Sequence, residues 1–258
     1  ETKAVKVYIS VDMEGIGGVV RPIQVQAGTS EYTVACRWME REVCAYILGA
    51  FEAGATEVWV KDAHGSGANM DWEAFPHLVH FVTGRTRPIR FPGLDESFSA
   101  LFLVGYHAKA GTPNAVLDHT WSSVNDTRFL INEVEVGEIA VDALIGGAFG
   151  VPTALVSGDD KTALEAQALL GNVETVITKT AVTREGAICL PQSEVLARAQ
   201  AGAIRAIERT RKGNFKPYQV ELPFTFAMSY LDREKGRIAQ ASFGTGVREA
   251  LCEVLGQG

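Results

Sequence analysis

Two carboxylates that follow an apolar run are the residues of this chain best placed to do chemistry. The run Val5 to Val11 is followed directly by Asp12, Met13 and Glu14. Because side chains alternate along a strand, Asp12 and Glu14 would project on the same side and repel each other. A metal cation between the two carboxylates would relieve this repulsion. The alternative is a surface pair at the start of a loop.

Three further ligand-type residues follow apolar segments in a similar way. His64 comes shortly after a strand-like segment, His107 ends the most apolar segment in this half of the chain, and Glu138 follows an apparent hairpin. Zinc and harder cations bind imidazole nitrogens and carboxylate oxygens that several loops bring together. A lone histidine in such a place is often structural or solvated, but together these residues predict a metal site.

Five short motifs, in order and at similar spacing, make the chain similar to a known family. The motifs are Ser10 to Gly15, Lys61 to His64, Gly105 to Ala110, Asp118-His119 and Gly137-Glu138. In these motifs the chain resembles the DppA-type D-aminopeptidases, which are the M55 metallopeptidases. The resemblance extends from about residue 5 to residue 160 and continues more loosely to the end of the chain.

The resemblance implies a site for two zinc ions per chain, with Asp12 bridging the ions. The ligands that it implies are Asp12, Glu14, His64, His107 and Glu138. It also implies that His119 is the catalytic histidine, and that the chain forms a homo-oligomer, a decamer of stacked pentamers. Judged from the residues alone, His119 could equally move a proton or be a solvated loop histidine.

The charges of these ligands agree with a site for two ions. Three carboxylates and two neutral imidazoles carry a charge of −3, against +4 for two divalent cations. The loaded site is therefore near neutrality, whereas the empty site would crowd three carboxylates together. We expect metal binding to be linked to the folding of the loops that carry these residues.

The function implied by the resemblance is that of a zinc-dependent aminopeptidase acting on short peptides. Its expected preference for D-amino acids, such as D-alanine, rests on the resemblance alone. Another dinuclear hydrolase on the same scaffold, an amidase or a phosphoesterase, is the first alternative. A non-catalytic protein with a structural metal is the second, although structural zinc sites are usually closed by cysteine and histidine ligands.

Composition narrows the range of partners and locations. The chain has 258 residues, of which 47% are apolar and 21% charged, and its net charge is −7. Its longest basic cluster is the short run at residues 209–212, so nucleic acid is not an expected partner. We find neither an apolar run of transmembrane length nor a signal peptide, so no membrane partner is expected.

The cysteines favour a reducing compartment. There are four, Cys36, Cys44, Cys189 and Cys252, and no two form a C-x-x-C pair. A disulfide framework is not expected in a chain with so much core material and so few cysteines. We interpret all four as buried free thiols and predict a cytoplasmic location.

The order of the predicted elements indicates an α/β fold. Strand 5–12, helix 30–53 and strand 57–62 begin an alternation that is typical of a parallel sheet. We predict a three-layer α/β/α architecture with a mainly parallel sheet, plus a smaller C-terminal α+β subdomain. A metal-binding catalytic domain would cover residues 1–185 and the subdomain residues 186–258, with a soft boundary between them. The subdomain includes a predicted helix at 247–255.

Several other residues that could take part in chemistry are better explained by structural roles. The glycines of the segment 15–18 lack the spacing of a nucleotide loop, and the acidic residues before them would repel phosphate. His77 and His80 would lie on opposite faces of a strand, so they are expected to be structural or exposed. Asp159 or Asp160 is expected to cap a helix that begins at residue 161, with a supporting role near the site as the alternative.

Overall fold

The structure, a computed structural model, describes residues 4–76, 78–87, 89–232 and 234–244. Its strands are β1 Lys6–Val11, β2 Glu57–Asp62, β3 Val79–Val82, β4 Ala100–Val104, β5 Arg128–Ile131, β6 Val134–Val136, β7 Thr153–Asp159, β8 Glu174–Thr183, β9 Gly186–Cys189, β10 Phe224–Asp232 and β11 Gly236–Gly244. Its helices are α1 Pro22–Val25, α2 Ser30–Glu52, α3 Glu138–Ala148, α4 Asp160–Leu170 and α5 Gln192–Arg211, with a 3-10 turn at Trp72–Ala74.

Seven strands form the main sheet, in the order β3-β2-β1-β4-β7-β8-β9. Neighbouring strands are parallel throughout, except for β9, which pairs antiparallel with β8 at one edge. The predicted mainly parallel sheet is therefore confirmed. The order reverses between β1 and β4, and ligands of open α/β sheets bind beside the carboxyl ends of strands at such a reversal.

Alternate residues of β1 face two different layers, which gives the molecule its three-layer architecture. Val7, Ile9 and Val11 are buried in the core that contains α2 and α5. Tyr8 faces the opposite core, which contains α3, residues of α4 and a second sheet. Because the strand alternates in this way, the residues beyond Val11 emerge at the edge between the two layers.

The second sheet has four antiparallel strands in the order β11-β10-β5-β6. Its strands come from both sides of the predicted boundary near residue 185, since β5 and β6 precede that residue and β10 and β11 follow it. The edge strand β9, just beyond the boundary, belongs to the main sheet. The division into domains 1–185 and 186–258 stays a prediction, and the helix predicted at 247–255 lies outside the described residues.

The loops after β1 and β4 approach each other closely at the carboxyl edge of the sheet. The backbone amide of Asp12 donates to the carbonyl of Val104 at 2.8 Å, and that of Gly15 donates to the carbonyl of Gly105 at 2.7 Å. A Cβ atom at Gly15 would lie 2.0 Å from the carbonyl oxygen of Tyr106, so only glycine fits there. This contact holds Asp12 beside the loop that carries His107.

The described cysteines are unpaired, as expected, but they are not all buried. Cys36 and Cys44 are half-buried and Cys189 is exposed, so the interpretation of Cys189 as a buried thiol was wrong. It ends the edge strand β9, which has no neighbour on its outer side among the described strands. Cys252 lies outside the described residues. Among the described helices, none combines the length and the apolar character needed to cross a bilayer.

Candidate metal centre

Two groups of ligand-type side chains meet at the carboxyl edge of the main sheet. Within each group the ligand atoms lie within 4.8 Å of one another. One group consists of Asp12, Glu14 and His64, and the other of His107, His119 and Glu138. The structure thus brings together all six site residues expected from the sequence, although they come from segments far apart along the chain.

The carboxylate of Asp12 lies between the two groups. Its Oδ1 is 3.0 Å from Nδ1 of His64, and its Oδ2 is 3.4 Å from Nε2 of His107. A glutamate accompanies each histidine, because Glu14 Oε2 is 3.1 Å from His64 Nδ1 and Glu138 Oε1 is 3.3 Å from His107 Nε2. The two oxygens of one carboxylate therefore face two different ligand sets.

Backbone carbonyls orient all three histidine rings. A carbonyl oxygen lies 3.0 Å from Nε2 of His64, 3.0 Å from Nδ1 of His107 and 2.9 Å from Nδ1 of His119. The accepting carbonyls belong to Val25, Ala108 and Leu117. Because a carbonyl only accepts, each of these nitrogens carries a proton, and the other nitrogen of each ring is left for a cation or for proton transfer.

Two buried polar atoms of the site have ion-pair neighbours but make no well-formed hydrogen bond among the described residues. They are Oε2 of Glu14 and Nε2 of His107, one in each ligand group. Buried polar atoms are rarely left unsatisfied in folded proteins. A cation in each group would satisfy both atoms, and a set of carboxylates and imidazoles is what zinc binds. The residues present therefore fit a dinuclear centre.

Burial and mutual pairing strongly shift the pKa values of four residues of the site, Asp12, Glu138, His64 and His107. Burial raises the pKa of Asp12, but its pairing with His107 and His64 outweighs burial and holds that pKa well below its usual range. Burial also raises the pKa of Glu138, but its pairing with His107 outweighs burial and lowers that pKa to about 2. For His64 and His107, burial lowers the pKa, but the neighbouring carboxylates raise it well above its usual value. Without metal, cationic imidazoles therefore hold the carboxylates together.

Glu138 stands in the first turn of α3 and is fixed from two sides. Its Oε1 accepts a hydrogen bond from the backbone amide of Trp121 at 2.8 Å, and its Oε2 is 3.7 Å from Nη2 of Arg90. Arg90 in turn forms two hydrogen bonds of 2.8 Å with Asp142, one turn further along the helix. The hydroxyl of Tyr106 donates to the same Asp142 carboxylate at 2.5 Å.

His119 is carried by the loop between β4 and β5. Its ring stacks on that of His107 with a centroid separation of 3.9 Å. Asp159 links this loop to the start of α4. Its Oδ2 accepts a hydrogen bond from the amide of Val116 in the loop at 2.8 Å, and its Oδ1 accepts one from the amide of Thr162 in the helix at 2.7 Å. The expected helix cap is confirmed at Asp159, and the same carboxylate also supports the site loop.

A buried lysine holds the loop that carries Glu14, and the sequence analysis missed it. Nζ of Lys179 donates to the carbonyls of Glu14, Ile16 and Val19 at 2.5, 2.8 and 2.6 Å. The carboxylate of Glu42 accepts from the amide of Gly17 in the same loop at 2.9 Å. The available signal was the position of Lys179 at the end of a segment otherwise suited to a buried strand.

A cavity of about 760 Å³ opens over the two ligand groups. Its wall includes five of the six site residues, Asp12, Glu14, His64, His119 and Glu138, and four basic side chains, Lys61, Arg85, Arg87 and Arg90. Burial, reinforced by the charge of Arg90, lowers the pKa of Lys61 to about 7. The basic residues were not anticipated as a group from the sequence.

The sequence predicts that His77 and His80 are structural or exposed, and the structure tests this prediction for His80. His80 is exposed on β3, where its ring stacks on Trp59 at 4.6 Å and its Nε2 is 3.6 Å from Glu57. It takes no part in either ligand group, as expected. His77 lies outside the described residues.

Comparison with known proteins identifies the family to which this site belongs. The model of the peptidase M55 family, described as D-aminopeptidase, matches residues 5–250. The chain belongs to the M55 peptidase family. A D-aminopeptidase of Bacillus subtilis (strain 168) is 37% identical over 187 residues, which are 72% of this chain and 67% of the relative. The resemblance found in the sequence motifs is therefore confirmed.

A solved D-aminopeptidase structure has the same fold. The Zn-dependent D-aminopeptidase DppA from Bacillus subtilis, described as a self-compartmentalizing protease, superposes with a TM-score of 0.88. The superposition covers 96% of this chain and 94% of that structure, at 28% sequence identity. The predicted α/β fold is thus confirmed over nearly the whole length of both chains.

Proposed function

We propose that the cavity is a two-zinc active site which removes the N-terminal residue from short peptides. The observation that carries this proposal is the position of Asp12, whose two oxygens face His64 and His107 separately. Asp12 would bridge the ions, with Glu14 and His64 completing one set of ligands and His107 and Glu138 the other. Two zinc ions per chain and this division of ligands are our proposals.

Membership of the M55 family makes the chain a metallo-aminopeptidase of the zinc-dependent, D-specific type. When bound, zinc supplies Lewis-acid chemistry, which polarises a peptide carbonyl and makes water more acidic. The ligand side chains hold that chemistry in place, and their backbone hydrogen bonds keep the rings in a single orientation. Dipeptides that begin with D-alanine are the substrates that we expect to be cleaved best.

His119 is the residue that we propose moves the proton. Its Nδ1 is committed to the carbonyl of Leu117, so its Nε2 is the atom left to accept a proton from the attacking water. The same atom could then donate the proton to the departing amine, which completes the hydrolysis. Stacking against His107 keeps the ring beside the ligand groups through this cycle.

We propose that the protein is a cytoplasmic homo-oligomer. The similar structure from Bacillus subtilis is described as self-compartmentalizing, a property that requires several subunits to enclose the sites. A decamer of stacked pentamers is the assembly implied by the family resemblance. The free state of the described cysteines supports a reducing compartment.

Metal reconstitution with stereochemically matched substrates tests the proposed function. The purified chain would be stripped with a chelator, reloaded with zinc and assayed on D-Ala-D-Ala and L-Ala-L-Ala at equal zinc content. We expect activity to return as zinc approaches two ions per chain, with faster cleavage of the D-isomer. A stoichiometry that stays at one ion under saturating zinc would refute the dinuclear site. Equal or faster cleavage of the L-isomer would refute the D-specific substrate while leaving the hydrolase intact.

A further inference from the structure

One wall of the cavity is basic, and the proposed hydrolysis makes no use of most of this charge. The basic side chains are Lys61, Arg85, Arg87 and Arg90. The carboxylates that line the same cavity are Asp12, Glu14, Asp62 and Glu138. Three of these four would be committed to metal, and Asp62 is committed to the backbone amides of Asn69 and Met70. With cations bound, the basic wall would therefore attract an anion.

Lys61 is the most unusual member of this wall. It stands near the end of β2, opposite Ser10 of β1, and only 5% of its surface is exposed. In the described part of the chain its ammonium has neither a hydrogen-bond acceptor nor an ion-pair partner within 4.0 Å. A buried charge without a partner is costly, so such a group usually serves a ligand or a neighbour.

Arg90 lines the same cavity as this lysine, and its charge acts on the lysine side chain. Its Nε and Nη2 both bind the carboxylate of Asp142, and its guanidinium carbon lies 5.0 Å from the centre of the Trp121 ring. Its Nη1 makes no hydrogen bond within the described residues, which leaves donors for a ligand. Arg87 lies against the same indole ring, with its guanidinium carbon 4.9 Å from the ring centre.

We propose that Lys61 and Arg90 bind the carboxy-terminal carboxylate of a dipeptide substrate, so that the enzyme prefers a free carboxyl end to a blocked one. This inference rests on the proposed function, since it requires the scissile bond to lie at the two ligand groups. A carboxylate at a fixed distance from that bond would give Lys61 the partner that it lacks and would form charge-assisted hydrogen bonds.

The chemistry of recognition is that of a carboxylate, which could also come from an acidic side chain. Three substrates separate the two sources. D-Ala-D-Ala offers a terminal carboxylate, D-Ala-D-Ala-amide offers none, and D-alanyl-D-isoglutamine offers only a side-chain carboxylate. We expect D-Ala-D-Ala to be cleaved with a kcat/KM about tenfold or more above that of the other two, because a charge-assisted contact is worth roughly that factor. Preference for D-alanyl-D-isoglutamine would overturn the terminal-carboxylate assignment.

Binding of inert analogues gives a readout that does not depend on turnover. The ketomethylene isostere of D-Ala-D-Ala, in which CH2 replaces the scissile N–H, and its carboxamide would be titrated into the zinc-loaded protein by calorimetry. We expect the acid to bind about tenfold or more tightly than the carboxamide. Equal affinities for the two analogues would overturn the inference.

Substitution of the lysine assigns the preference to this residue. Lys61→Met keeps most of the length of the side chain without its charge, and Lys61→Gln serves if the methionine variant does not fold. Either should reduce the ratio of acid to carboxamide affinity severalfold, with Arg90 left as the remaining contact to the carboxylate. Lys216→Met, at an exposed lysine, is the matched control and should keep the wild-type ratio. A ratio that survives at Lys61→Met would overturn the role of this residue.

The two proposals fail in distinguishable ways. If D-Ala-D-Ala and its amide are cleaved equally well, the proposed aminopeptidase activity is retained and the proposed carboxylate site is refuted. If neither peptide is cleaved and neither isostere binds, the proposed function falls and the carboxylate site falls with it.

Discussion

At the scale of single residues, the isosteric change Asp12→Asn tests the bridge. An amide is neutral and offers only one oxygen, so it cannot face His64 and His107 with two negatively charged atoms. We expect bound zinc to fall to one ion per chain or fewer, and kcat/KM to fall by about 100-fold or more. Metal analysis and steady-state kinetics on the same preparations measure both effects.

The matched control is Asp95→Asn, at an exposed aspartate whose side chain accepts hydrogen bonds from Ser97 and does not line the cavity. This control should retain the wild-type zinc content and activity. If Asp12→Asn also keeps two ions and full activity, the bridging assignment is wrong.

His119→Ala separates proton transfer from metal binding. His119 belongs to the same close group as His107 and Glu138, so its position alone is compatible with either role. We expect kcat to fall by about 10²-fold or more, roughly 2.7 kcal/mol of transition-state stabilisation, because the proton transfer is lost. Zinc content should stay at the wild-type value, since five other ligands are present.

His80→Ala is the control for His119→Ala, because His80 lies on an exposed strand away from both ligand groups. Zinc analysis decides the outcome. Loss of one ion together with activity would make His119 a ligand. Normal kcat with full zinc content would make it a solvated loop histidine.

At the scale of elements, local patterns predicted the strands and helices that carry the site. The predicted strand at 57–62 matches β2, and the helix predicted at 30–53 differs from α2 by one residue. These elements have strong apolar periodicity and clear boundary residues, and such signals are local. Metal-type ligands at strand ends could therefore be found from the sequence and the family motifs.

The second sheet could not be predicted in the same way. Its central pairing joins Phe226 of β10 with Ile131 of β5, two residues far apart along the chain. Nothing local in either strand specifies that partner, because strand pairing depends on the shared core that both strands cover. The roles of three buried polar residues could not be predicted for a related reason. These residues are Lys61, Glu42 and Lys179, and each is a single polar residue within an otherwise apolar or amphipathic element. Only their burial and contacts reveal their roles.

Lys179→Met tests how β8 supports the metal-binding loop. The change removes the donor for three backbone carbonyls of residues 14–19 and leaves them inside the protein. We expect a loss of roughly 2–4 kcal/mol in the free energy of unfolding, because buried acceptors would be left unsatisfied. Zinc affinity should also fall, since Glu14 belongs to this loop.

Urea unfolding of the metal-free protein and zinc titration measure the two effects of Lys179→Met separately. Lys212→Met, at an exposed lysine that ends α5, is the control and should change neither quantity. Unchanged stability and zinc affinity in Lys179→Met would mean that the loop keeps its conformation without this donor.

The buried carboxyl of Glu42, on α2, makes the stability of the folded protein depend on pH. Burial raises the pKa of this carboxyl to about 7, despite the amide of Gly17 and the charge of Lys179, which both lower it. The folded state therefore holds a proton that the unfolded state releases near pH 4.5. This contribution to stability is present at low pH and is lost as the pH rises from about 4.5 to about 7.

We expect Glu42→Gln to remove this dependence, because an amide does not titrate. Between pH 5 and pH 7.5, the wild type should lose on the order of 2 kcal/mol more of its free energy of unfolding than the variant loses. Chemical unfolding at a series of pH values provides the comparison. Parallel curves for the two proteins would mean that Glu42 is ionised throughout this range.

At the scale of the whole molecule, the centre joins parts of the chain that are otherwise separate. Asp12 and His64 follow strands of the main sheet, and Glu138 begins the helix after the β5–β6 hairpin of the second sheet. Bound cations would therefore link both sheets across the edge where their layers meet. Metal binding should thus stabilise the fold as a whole and not only the loops.

The pH dependence of zinc binding tests this link. In the metal-free protein the pKa values of His64 and His107 are raised well above their usual value, so both rings are protonated at pH 7. Zinc binds neutral imidazole, so binding should release about two protons per chain, and zinc affinity should rise with pH. Calorimetry in two buffers of different ionisation enthalpy measures the number of protons released.

The same shifts determine how the thermal stability responds to pH. A raised histidine pKa stabilises the metal-free fold below about pH 6.5, and this contribution is lost as the pH rises through the folded-state pKa. The lowered pKa values of Asp12 and Glu138 add nothing to this change, because both groups stay ionised above about pH 5. The increase in Tm that zinc produces should therefore be larger at pH 8 than at pH 6. His80→Ala should behave as the wild type. Proton release near zero at pH 7, with an increase in Tm independent of pH, would mean that the imidazoles are already neutral before the metal arrives.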